Sequence, residues 1–128
     1  MHSFYLPHPT SSKIIIYFHG NGGNIYGYVR TASQLRDCGA AVLLVDYRGY
    51  GKSKGKPSEI GVYRDGRATL RYAVEELKYK HGDVIIFGFS LGTAIACQIA
   101  QGLSLGGMVL VAPMTSGKEY MRDNGNIF

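Results

Sequence analysis

Apolar residues in this chain fall into two alternating textures. Four short runs are continuously apolar: Ile14-Ile15-Ile16-Tyr17-Phe18, Ala41-Val42-Leu43-Leu44-Val45, Val84-Ile85-Ile86-Phe87 and Met108-Val109-Leu110-Val111. They are rich in β-branched and aromatic residues and lack the in-out alternation of a half-buried strand. They therefore predict strands covered on both faces. Longer stretches with helical spacing lie between them. Ile25, Val29, Ala32 and Leu35 share one helical face, and Gly39 is a plausible stop. Residues 62–79 gather Leu70, Ala73, Val74 and Leu77 on one face, with His81-Gly82 as the stop. Residues 91–100 are apolar nearly all round, as a buried helix would be, and Gly102 ends them. The order β-α-β-α-β-α-β predicts an α/β fold, a parallel sheet of about four strands with helices on both faces and right-handed crossovers.

Composition narrows the function classes. The 128 residues amount to one small domain, and 45% hydrophobic with 18% charged residues is ordinary for a globular chain. A net charge of +5 is basic without the dense positive charge of an obligate nucleic-acid binder. Cys38 and Cys97 make neither a disulfide framework nor a zinc motif, and no metal or cofactor is expected. No stretch reads as a signal peptide or a membrane span, so a cytoplasmic setting is expected.

Ligands of a parallel sheet bind at the carboxyl ends of its strands, which here means three loops. Two of them are rich in glycine, and both nucleotide fingerprints fail there. A dinucleotide motif starting at Gly20 and Gly22 needs glycine at Ile25, and one starting at Gly49 and Gly51 needs it at Lys54. A phosphate loop ending in Gly51-Lys52-Ser53 needs its first glycine at Asp46.

The third loop, Gly88-Phe89-Ser90-Leu91-Gly92, is G-x-S-x-G. Gly51-Lys52-Ser53-Lys54-Gly55 matches the same pattern, so pattern alone is weak and context decides. Ser90 has a buried strand before it and a helix after it, which is the setting of a nucleophile elbow; Ser53 lies among lysines with neither. A turn that tight leaves no room for a Cβ at Gly88 or Gly92. It projects the Ser90 hydroxyl to a helix N-terminus, where the N–H of Leu91 can stabilise an oxyanion. The plain alternative is a serine that caps a buried helix. The first loop, His19-Gly20-Asn21-Gly22-Gly23-Asn24, is placed to give the second oxyanion donor from Asn21 or Gly22, or is merely a tight turn. His19 tempts as a base, but a histidine at a strand end more often holds its loop by hydrogen bonding. Arg48, Lys52, Lys54 and Lys56 make the second loop basic. It is either a solvated loop or a contact for an anionic membrane or an acidic substrate group.

At these residues the chain resembles the α/β-hydrolase superfamily, above all its α/β-hydrolase domain-containing and serine-aminopeptidase-like members. The matching stretches are His19–Asn24, Asp46–Ser53 with Gly55–Glu59, and Gly88–Gly92, in the family's order. The resemblance covers about residues 10–113, and 114–128 form an irregular tail. It implies that Ser90 is a nucleophile, that Asn21 and Leu91 are oxyanion donors, and that the substrate is an ester, thioester or amide. It also implies the strand order 41–45, 14–18, 83–87, 108–111, which leaves the apolar runs around Val42 and Val109 at the sheet edges, open to self-association. One departure stands out. The family's order is Ser, then Asp or Glu, then His. Here His2, His8, His19 and His81 all precede Ser90, and only Glu119 and Asp123 are acids after it. The expectation is a single truncated domain over 1–128 that lacks the family's first two strands and the strands bearing the acid and base. Its alternative is a non-catalytic interaction module.

Overall fold

In a computed structural model the described residues are 2–19, 28–46 and 59–111. They form five strands and three α-helices: β1 (His2–Leu6), β2 (Ile14–Phe18), α1 (Val29–Asp37), β3 (Ala41–Asp46), α2 (Glu59–Arg71), β4 (Val84–Phe89), α3 (Leu91–Ala100) and β5 (Gly107–Val111). The sheet order is β1-β3-β2-β4-β5. The last four strands are parallel and stand in the expected order, with Ile16 level with Leu43 on one side and Ile86 on the other.

The expectation of four strands is corrected at one edge. β1 pairs antiparallel with β3, so Phe4 sits opposite Leu44 and the run around Val42 is interior. The segment His2–Leu6 is short and mixes His2, Ser3 and Tyr5 with Phe4 and Leu6. Its pattern is that of an edge strand, not the continuous apolar signal of the buried runs.

The apolar runs of β2, β3 and β4 are explained by two cores, whereas the run of β5, expected to be covered on both faces, leaves Met108, Val109 and Val111 exposed at the sheet edge. Alternate residues of each strand point to opposite faces. Ile14, Ile16, Phe18, Leu43, Val45, Val84 and Ile86 face α2 and α3, meeting Val62, Leu70, Leu91, Ile95 and Ile99. Ile15, Tyr17, Val42 and Leu44 face the other way, toward Ala32 of α1 and the partly buried Phe4, Leu6, Ile85 and Phe87. Each fully buried aliphatic side chain contributes about 1.5–3 kcal/mol of transfer free energy. α2 and α3 approach closely because Gly66 has no side chain: a Cβ there would lie 2.8 Å from Ile95 Cγ2.

Helix ends follow the expected stops in two cases. Gly39, at φ +116°, closes α1, and Gly102, at φ +72°, follows α3. The helix expected over 62–79 is corrected. α2 passes at Arg71 into a π-helical turn, Tyr72–Glu76, and stops before Lys78, which adopts φ +67°. The Tyr79 N–H reaches back to the Ala73 carbonyl at 3.0 Å, a bond six residues long that ends a helix in the manner of a Schellman cap. Lysine in the position where glycine is usual hid this stop, and His81-Gly82-Asp83 is instead a separate short 3-10 turn.

Candidate active site

Ser90 stands where β4 gives way to α3, at the carboxyl end of a central strand. Its backbone is at φ 54°, ψ −115°, a region that residues with a side chain rarely enter. Such a conformation costs on the order of 1–3 kcal/mol and persists only where the surroundings enforce it. Here they do so through the backbone. The Ser90 N–H donates to the Val111 carbonyl at 2.8 Å, tying the turn to the end of β5. The Ser90 carbonyl accepts the Thr93 N–H at 2.9 Å and the Thr93 hydroxyl at 2.6 Å. Thr93 is fully buried, and sequence reading passed it over because a lone threonine inside a helix carries no pattern.

The two glycines of the turn are sterically required, for different reasons. A Cβ on Gly88 would lie 2.7 Å from the Gly92 carbonyl oxygen and 2.9 Å from the Thr93 Cα. That is the close approach across the turn expected from sequence. A Cβ on Gly92 would instead overlap the carbonyl oxygen of Phe18 and come within 3.0 Å of the His19 carbonyl oxygen. The second glycine therefore lets the first turn of α3 lie against the end of β2. The strand-end segment at His19 and the serine turn are thereby brought together.

Ser90 makes no side-chain capping hydrogen bond to α3, which removes the plain reading of it as a helix cap. Leu91 is the first residue of α3 and its side chain is buried in the larger core. The buried His19 ring stacks on Tyr28, with centroids 4.7 Å apart and planes at 20°, a packing role at the end of β2. His8 accepts the N–H groups of Thr10 and Ser11 on Nδ1 at 3.2 and 3.0 Å, holding a turn at the opposite end of the sheet. His81 lies in the 3-10 turn before β4, also at the amino end. His2 pairs with Asp46 at the carboxyl edge. Three strand spacings, about 14 Å, separate its strand from β4. The other expected site residues, Asn21, Gly22, Arg48, Lys52, Lys54, Lys56, Glu119 and Asp123, lie outside the described residues.

Beside the turn, on the α1 side of the sheet, Tyr17, Tyr28, Phe87, Phe89 and Val111 line an apolar groove of about 380 Å³. Tyr17 meets Phe87 and Tyr28 edge to face at 5.1 and 6.1 Å. Burial pushes the Tyr17 phenol up, the neighbouring Tyr28 adds to this, and a hydrogen bond with Thr31 opposes it. Burial also raises Tyr28. Both phenols stay neutral around pH 7. Among the described residues no three His, Cys, Asp or Glu side chains gather to hold a metal, and no helix is long and apolar enough to cross a membrane.

A mostly parallel sheet with helices on both faces, and a strained serine between a strand and a helix, define an α/β hydrolase framework. The profile of one family, described as serine aminopeptidase, S33, matches residues 9–127. The chain belongs to this family of α/β hydrolases. It is 35% identical over 116 residues to a multifunctional-autoprocessing repeats-in-toxin of Vibrio vulnificus, a match covering 84% of this chain and 2% of the toxin. It is 34% identical over 124 residues to the lysophosphatidylserine lipase ABHD12 of Xenopus tropicalis, covering 90% of this chain and 31% of the lipase. The crystal structure of an alpha-beta hydrolase from Vibrio vulnificus superposes with a TM-score of 0.79 at 29% identity, over 94% of this chain and 44% of that one. The chain thus spans less than half the length of each of these relatives.

Proposed function

We propose that Ser90 is the nucleophile of a hydrolase acting on ester, thioester or amide bonds. The observation that carries this reading is the φ of +54° at Ser90, held between Gly88 and Gly92 where a strand enters a helix. That conformation costs free energy, and an ordinary strand-to-helix join has no need of it. In this reading the Ser90 Oγ attacks the substrate carbonyl. The oxyanion is held by the N–H of Leu91, favoured by the dipole of α3, and by an N–H from Asn21. The alcohol, thiol or amine then leaves, and water cleaves the acyl-enzyme.

The proton of Ser90 needs a base. In the order usual for this fold the base follows the serine, and no histidine follows Ser90 within these 128 residues. His19, packed on Tyr28, serves the fold in this reading. These residues therefore hold the nucleophile half of the site, with Glu119 and Asp123 the only acids after Ser90 and no histidine after it among them. Without its base a serine is a weak nucleophile, slower by several orders of magnitude. The relatives support both an ester and a peptide as substrate, since one is a lysophosphatidylserine lipase and the family is that of a serine aminopeptidase.

Trapping of the acyl-enzyme tests the proposal. With no base to activate water, an acyl group placed on Ser90 should stay there. After exposure to an activated acetyl ester, peptide mapping should find acetyl on the Ser90 peptide, and Ser90→Ala should remove it. Acetyl on surface lysines only would favour the alternative, a non-catalytic interaction module.

A further inference from the structure

The π-helical turn that ends α2 borders a second groove, away from the serine. Its volume is about 470 Å³, within the range of about 300–1,000 Å³ typical of small-molecule sites. Leu70, Val74 and Ile99 form its floor, and Leu70 and Ile99 are only 6% and 4% exposed. Arg67 and Arg71 stand on its rim, both exposed. They are four residues apart on α2, so they are neighbours on one helical face, about 5–6 Å between Cβ atoms. Among the described residues neither arginine makes an ion pair. Segments of π-helix are rare and are often found at functional sites.

We propose that this groove binds an amphiphilic organic monocarboxylate, its carboxylate held by Arg67 and Arg71 and its apolar tail laid along Leu70, Val74 and Ile99. Paired guanidinium groups present planar donors that match a carboxylate. Glu75, on the same rim, sets the balance of permanently charged arginine and carboxylate groups at two cations to one anion, with the His81 imidazole also lining the groove. That balance suits a monoanion and disfavours a dianion such as phosphate. A flat anionic surface would reach the rim but leave the apolar floor in water, so the concave shape favours a small ligand. The groove lies on the last turn of α3, whereas Ser90 precedes the first; the helical rise from Ser90 to Ile99 is about 13 Å. The assignment is independent of the role of Ser90.

The test is titration calorimetry of the full chain with dodecanoate, kept below its micelle concentration, with dodecanol and acetate as partners in the comparison. Dodecanoate should bind, and both controls should bind about tenfold or more weakly. The double variant Arg67→Gln/Arg71→Gln should weaken dodecanoate by a similar factor. Leu103→Asp, an exposed change on the groove wall, should do the same by repulsion while leaving the helices intact. Circular dichroism confirms the fold of each variant, and either variant suffices if the other unfolds. Undiminished binding to a folded variant would place the ligand elsewhere and overturn the proposal. Equal affinity for dodecanol, or no binding of dodecanoate to the unaltered chain, would overturn it as well.

Discussion

A Cβ added to Gly88 would lie 2.7 Å from the carbonyl oxygen of Gly92, closer than real side chains come to backbone. Gly88 is the fifth residue of a buried strand, where valine would ordinarily be favoured. Gly88→Val should therefore destabilise the chain by about 3 kcal/mol, in the class of overpacking and special-backbone effects. Gly107→Val is the matched control, because a Cβ on Gly107, in the edge strand β5, meets nothing within 4 Å. Its urea midpoint should stay level or rise slightly. Equal midpoints for the two variants would mean that the serine turn is not sterically constrained.

The hydroxyls of Tyr5 and Tyr79 lie 2.7 Å apart and join β1 to the segment after the π-helical turn. Burial, and then the hydrogen bond with Tyr5, push the Tyr79 phenol up to about 12. The neutral form is the one stabilised by folding. Stability from this group is therefore fully present below the ordinary tyrosine value of 10.0 and declines as pH rises from there toward 12. Ultraviolet titration should show several late-ionising tyrosines, of which one moves down in Tyr5→Phe. No change in that variant would contradict the assigned bond.

β5 ends the sheet among the described residues, and Met108 and Val109 are 45% exposed. An apolar edge without charge or proline invites pairing. The chain should self-associate at about tens of micromolar, and Val109→Lys should reduce this. Sedimentation as a monomer over that range would count against an open β5 edge.

The four parallel strands were legible because each run is short, apolar on both faces and rich in β-branched residues, although the run of β5 is left partly exposed at the sheet edge. β1 was not, because an edge strand with one polar side carries a weak alternation in five residues. The end of α2 was misread for a related reason: Lys78 takes a left-handed conformation without the glycine that usually announces it. At the serine turn, spacing revealed that Gly88 must be bare. The partner of Gly92 was hidden, because its contact is with the backbone of Phe18, seventy-four positions away in the chain and visible only once β2 and α3 are side by side. Thr93 escaped for the same reason, as its role is a hydrogen bond and not a pattern.

The central claim is that Ser90 is a nucleophile, and a fluorophosphonate tests it most directly. Long exposure followed by peptide mapping compares Ser90 with Ser53, the serine of the other G-x-S-x-G match. The account predicts slow labelling, because no histidine follows Ser90 in these residues, with the phosphonate on Ser90 and none on Ser53. Ser90→Ala should abolish it, and a packing change at His19, such as His19→Phe, should not. Labelling that survives Ser90→Ala, or that falls on Ser53 as readily as on Ser90, would contradict the account.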